Sequence, residues 1–132
     1  MSHHHDPDFE IRFFEEVLRK NPSYADVVEL LGGLYTKQGR VDEGLRMDRK
    51  LVRLAPQNPI AHYNLACSLA LKHRKADAVR ALRRAVEMGY RDLDWLREDP
   101  DLASLRGDAS FQEIESALER LRATGQPQPE RS

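Results

Sequence analysis

Five histidines and one cysteine are the side chains of this 132-residue chain best suited to metal or nucleophilic chemistry. His3, His4 and His5 stand together at the N-terminus. Three successive imidazoles can take a metal, but here they read as a tag remnant or an unstructured terminus. His62 and His73 are eleven residues apart. That is about 16 Å along a helix at about 1.5 Å per residue, too far for one helix to bring both to one ion. Cys67 follows His62 by five positions, whereas side chains share a helix face at three or four. Nucleophilic catalysis by the thiol needs a base and a group that orients the base, and the sequence supplies no such set. It has neither a glycine-rich phosphate loop nor a His-Glu-x-x-His pair. Cys67 therefore reads as a small residue filling a gap. The expectation is a protein that is not an enzyme, with no metal and no cofactor.

Charge is the second source of chemistry. The whole chain carries a formal −1, too balanced for general attraction to nucleic acid or a membrane surface. Locally it is uneven. From Lys72 to Arg91 the cations Lys72, Arg74, Lys75, Arg80, Arg83, Arg84 and Arg91 outnumber Asp77 and Glu87. From Asp92 to Glu119 nine carboxylates face only Arg97 and Arg106. Arg80, Arg83 and Arg84 could form a polyanion-binding strip. The favoured reading is a solvated outer helix whose arginines pair with the acidic segment beside it. Head-to-tail self-association of the basic and acidic ends is a third reading, and it would be sensitive to salt.

The elements that must position these groups are helices. Apolar residues recur at three and four, as in Val27, Val28, Leu31, Leu34 and Tyr35, or Ala78, Val79, Leu82, Ala85 and Val86. Each set lies on one face of a helix and must be covered. No segment alternates as a half-buried strand would. Asp6-Pro7, Asn58-Pro59 and Asp99-Pro100 read as N-caps followed by proline at the first helical position. Asn21-Pro22 reads as the close of one helix and the opening of the next, and Ser110 with Glu113 as a capping box. No apolar run approaches the roughly 20 residues of a membrane span. The absence of an apolar leader and the single cysteine lead to the expectation of a cytoplasmic location.

The sequence also repeats at a period of 34. Pro22 pairs with Pro56, Leu31 with Leu65, Gly32 with Ala66, Tyr35 with Leu69, Gly44 with Ala78, and Val52 with Val86. Small residues match small and apolar match apolar, the mark of stacked helical hairpins. One unit reads Val28-x2-Leu31-Gly32-x2-Tyr35, then Gly39, Gly44 and Pro56. The next reads His62-x2-Leu65-Ala66-x2-Leu69, then Ala78, Leu82 and Ala85. On these residues the chain resembles the tetratricopeptide repeat family over about residues 9–90. It departs from the pattern at Asp48, where an aromatic is usual, at His73, which replaces a glycine, and at Tyr90, which replaces the closing proline. Val28 and His62 stand for the leading tryptophan. The run Asp99-Pro100-Asp101-Leu102 and onward to Phe111 resembles the segment that closes many bacterial arrays of this kind.

The resemblance implies an all-α, right-handed superhelical array of antiparallel helix hairpins. Residues 1–6 would be unstructured or tag-like. An entering helix at 7–20, repeats at 23–56 and 57–90, a helical cap at 91–123 and a frayed tail at 124–132 would follow. It also implies a non-catalytic adaptor that holds a peptide or partner helix in its concave groove. Groove-facing positions would include Glu29, Gly33, Thr36 and Lys37, and Ile60, Tyr63, Asn64, Cys67, Ala70 and Leu71. The same residues also suit packing on the cap or the entering helix, and the sequence leaves both open. If the groove is open, replacing Tyr63 and Asn64 should reduce partner binding without unfolding the domain. Relatives that hold acidic chaperone tails use lysine and asparagine where this chain has Glu29 and Gly33, and only Asn64 fits. A carboxylate would be repelled there, so no binding of such a tail is expected. The partner is expected to be a protein or peptide, with no membrane. Nucleic acid is the rival, and a homo-oligomer is a further option.

Overall fold

The computed structural model describes residues 6–125. The His3–His5 run and the tail from residue 126 lie outside the described residues. The elements are α1 (Pro7–Lys20), α2 (Ala25–Lys37), α3 (Val41–Leu54), α4 (Pro59–Leu71), α5 (Lys75–Glu87), α6 (Leu93–Glu98), a 3-10 helix (Pro100–Leu105) and α7 (Ala109–Ala123). No strand occurs among the described residues. Helix α1 packs on α2, α2 pairs with α3, α3 packs on α4, and α4 pairs with α5. The 3-10 helix covers α4, while α7 covers α5. The result is an all-α hairpin array closed at one end by a helical cap.

Local chemistry sets most of the boundaries. The side chains of Asp6, Asn58 and Asp99 accept from the backbone N–H two residues on, at 3.0, 2.9 and 2.9 Å. Each is followed by a proline that has no N–H to leave unpaired. Two expectations need correction. The N-cap of α7 is Asp108, which accepts from Ser110 N at 2.8 Å. Ser110 therefore lies inside the first turn, because Asp108 captures that donor first. Pro22 does not open α2; α1 ends with Asn21 as its C-cap and α2 starts only after Tyr24.

Two hydrophobic clusters divide the molecule. One joins Ile11, Leu18, Val28, Leu31, Tyr35 and Leu51 across α1 to α3. The larger one joins Leu69, Ala78, Leu82 and Ala85 of the second hairpin to Leu93, Leu96, Leu102, Leu105, Phe111 and Leu118 of the cap. The last hairpin would otherwise expose this face, so the cap does for it what a further repeat would do.

The small-residue positions mark close helix contacts. A Cβ on Gly44 would overlap Thr36 Oγ1 and lie 3.2 Å from the Gly32 carbonyl oxygen. Ala66 and Ala78, one period on from Gly32 and Gly44, are fully buried. The turn between the helices of each hairpin bends through a left-handed residue. That residue is Gly39 in the first hairpin, at φ 77°, and His73 in the second, at φ 59°. An L side chain disfavours this conformation by about 1 kcal/mol. Gly39→Ala should therefore cost about 1 kcal/mol, although nothing lies within 4 Å of the added Cβ. His73→Gly should recover up to about 1 kcal/mol. Urea denaturation of both variants checks the pair, and equal signs would refute the conformational account.

Candidate functional site

The array leaves two adjoining hollows along α2 and α4. One, of about 640 Å³, is lined by Asp26, Glu29, Leu30, Gly33, Leu34, Lys37 and Asn64. The other, of about 530 Å³, lies between α2, α4 and the cap, and shares Gly33, Lys37 and Asn64 with the first. Thr36, Asp48, Tyr63, Cys67, Ser68, Trp95, Asp99 and Asp101 also line it. Of the groove residues expected from the sequence, Glu29, Gly33, Thr36, Lys37, Tyr63, Asn64 and Cys67 come together on these walls. Ile60 is exposed at the start of α4, Ala70 is buried and Leu71 is half-buried, all outside both hollows.

The inner wall is tied to the cap by a buried carboxylate. Asp99 accepts from Tyr63 Oη at 2.5 Å and from Cys67 Sγ at 3.5 Å, while its other oxygen caps the 3-10 helix. The Tyr63 ring stacks on Tyr90, with centroids 4.6 Å apart. Ser104 Oγ donates to the Ala70 carbonyl at 3.2 Å, and Arg106 donates to the Asp99 carbonyl at 2.6 Å. Tyr63 and Cys67 are thus buried wall, and the pair Tyr63 and Asn64 is a poor probe of binding alone. Tyr63 holds the cap, so its replacement touches the fold. Tyr63→Phe should lose about 2 kcal/mol, because a buried carboxylate forfeits a donor. A drop in the urea midpoint with an unchanged slope checks this; no drop would show that the hydroxyl holds nothing.

Catalytic chemistry is poorly served. Burial, reinforced by the Asp99 charge, pushes the Cys67 thiol far above its ordinary range. A thiol so protonated is a weak nucleophile and a weak ligand. Burial likewise raises Tyr63, with Cys67 and Asp99 beside it. His62 is spent on a structural bond, its Nε2–H donating to the Pro56 carbonyl at 2.7 Å. It fills the buried position where the repeat pattern has tryptophan.

The most unusual member of the site is Asp48. It stands where the pattern has an aromatic, and the contact there is polar: Ser68 Oγ on α4 donates to its Oδ2. Only 5% of the residue is exposed. Burial, with Glu29 nearby, pushes its carboxyl up to about 7 against the pull of the Ser68 hydroxyl. Asp101 is also raised, by burial and then by the Asp99 charge. Sequence reading missed Asp48, Trp95, Asp99 and Asp101 as groove lining. Asp48 carried a signal, a polar residue at an aromatic position. The other three carried none, since they lie beyond the repeats.

The basic strip is arranged differently from the expectation. Arg80 and Arg74 pair with Asp77, and Arg84 pairs with Glu87, all within or at the start of α5 itself. The acidic cap is served by its own cations, Arg97 to Glu115 and Glu119, and Arg122 to Asp94. The arginines of α5 thus pair along their own helix rather than with the cap, because a partner three residues away is already within reach. Arg83 lies in shallow crevices between α5 and α7.

A tetratricopeptide repeat sequence model matches residues 12–59 and 37–93. The chain belongs to the tetratricopeptide repeat family. A chloroplastic protein of Arabidopsis thaliana is 30% identical over 80 residues. That stretch covers 58% of this chain and 24% of the relative, so the chain spans about a quarter of the relative's length. Among solved structures, the MamA RS-1 ArsTM double mutant superposes with a TM-score of 0.72 at 16% identity, covering 92% of this chain and 68% of that one. A crystal structure of MamA gives 0.63 at 18% identity, covering 90% and 92%. The family match and the superpositions together establish the tetratricopeptide fold of the hairpin array. No helix among the described residues is long and apolar enough to cross a membrane.

Proposed function

We propose that this tetratricopeptide repeat protein is a non-catalytic interaction module that holds a peptide or partner helix in the hollow along α2 and α4. The observation that carries this reading is the lining itself. Leu30 and Trp95 present large apolar surface there, at 45% and 47% exposure. Asn64, Lys37 and Glu29 supply polar contacts around them. Exposed apolar anchors among a few polar groups suit a protein ligand. The scaffold beneath is held by two hydrophobic cores.

Gly33 offers a clean test. It faces both hollows, and nothing lies within 4 Å of a Cβ built there. Gly33→Gln therefore places a side chain in the groove without disturbing a contact, and it removes a glycine from the interior of a helix, which is worth up to about 1 kcal/mol. For a partner identified by affinity capture, the variant should bind at least about tenfold more weakly, near 1.4 kcal/mol, while melting no lower than the parent. Full affinity in the variant would place the partner elsewhere.

A further inference from the structure

The groove reading leaves the chemistry of the partner open, and the distribution of charge narrows it. Outside the groove, nine carboxylates of the described residues lie in ion pairs, among them Asp42 with Lys72, Asp77 with Arg74 and Arg80, Glu87 with Arg84, and Glu119 with Arg97. Inside it, none of Glu29, Asp48, Asp99 and Asp101 forms an ion pair among the described residues, and Lys37 on the same wall forms none either. Asp48 sharpens the point. It is nineteen-twentieths buried, and its single hydrogen bond uses Oδ2. Its Oδ1 has no donor, yet it is not sealed from the hollow. The oxygen points at Gly32, where a Cβ would come within 3.0 Å, so the missing side chain leaves it open. A buried ionised carboxylate with an unmet oxygen and no counter-charge is costly, and either a proton or a cation arriving from outside relieves it.

We propose that the hollow between α2, α4 and the cap receives a lysine or arginine side chain of a partner segment, with Asp48 Oδ1 and the Asp101 carboxylate as acceptors and Trp95 against its stem. This rests on the groove reading above and names the partner's chemistry as cationic. The exposed indole suits a guanidinium or an alkyl-ammonium, which stack on or lie along aromatic rings. A metal ion is the competing occupant, since Cys67 Sγ and oxygens of Asp99 and Asp101 lie within 4.8 Å of one another. The thiol there keeps its proton and donates it to Asp99, which makes it a poor ligand.

Trp95 is the only tryptophan of the chain, so its emission reports this hollow alone. Three blocked nonapeptides of alanine and leucine are titrated, identical except for two arginines, two citrullines or two glutamates. The arginine peptide should shift the emission saturably and bind at least about tenfold more tightly than the citrulline peptide. The glutamate peptide should not bind. Raising salt should weaken the arginine complex. Asp48→Asn and Asp101→Asn should each weaken it about three- to tenfold, with melting curves showing both variants folded. Equal binding of the citrulline or glutamate peptide overturns the cationic partner but leaves the groove reading standing. No response to any peptide up to about 1 mM also overturns it, and Gly33→Gln then judges the groove separately. A saturable response to zinc or magnesium ions alone, with loss of arginine-peptide binding, overturns it in favour of a metal.

Discussion

Phe111→Ala is expected to cost about 4 kcal/mol, the range found when a buried aromatic is emptied to a methyl group. Phe111 is the largest of the fully buried side chains and is 1% exposed. It opens α7 and sits in the cluster that includes Leu82, Ala85, Leu102 and Leu105. The void would therefore fall between the cap and the last hairpin, where no further repeat can close over it. Repeat arrays are stabilised by neighbour-to-neighbour contacts, so the loss should be graded along the chain. Hydrogen exchange should show α4, α5 and α7 losing protection first, while α1 and α2, which belong to the other cluster, lose less. Uniform loss, or a cost below about 1 kcal/mol, would mean that the cap is an ornament on an array stable without it.

Asp48→Asn should stabilise the protein above neutral pH. The folded protein holds this carboxyl at about 7, against an ordinary 3.8. A carboxyl raised on folding binds its proton more tightly in the native state. Its contribution is most favourable below about 4 and is lost as the pH rises from there through about 7. At roughly 1.4 kcal/mol per pH unit the full difference is a little over about 4 kcal/mol. Asparagine keeps an oxygen for the Ser68 hydroxyl and carries no charge, but its amide N–H groups need partners. The net gain at pH 8 should therefore be nearer 2 kcal/mol. As the pH falls to 4 the difference should move by nearly the full amount and change sign, the variant becoming less stable than the parent by about 2 kcal/mol, which separates this group from the carboxylates that cationic neighbours hold low. A difference that does not change with pH would show that Asp48 titrates as a solvated acid. The prediction also bears on the groove: a cation seated on Asp48 would hold it ionised and narrow the gap, so excess arginine peptide should bring the two proteins closer together at pH 8.

The helices, their order and the repeat were legible because they are written locally. Apolar spacing fixes which face of α2 or α5 is buried, and Asp6, Asn58 and Asp99 cap their helices with bonds only two residues long. The 34-residue period pairs Gly44 with Ala78 because both meet a neighbouring helix too closely for a larger side chain. Even the departure at Asp48 was visible as a polar residue in an apolar slot. The direction of the charge pairing was not, because a run of arginines does not say whether it will reach sideways to another element or along its own helix.

What the sequence determined, then, is the hairpin array and the need for something to cover its end. What only the tertiary structure decided is where that cover lands. Tyr63 and Asp99 are 36 residues apart with no periodic relation, and their meeting turns an expected groove contact into buried wall. The same docking brings Trp95 and Asp101 to the rim beside Asp48. The cap lies outside the repeat, so no spacing rule carries its register against α4. That register is set by the shape of one buried surface against another, which only the folded chain defines.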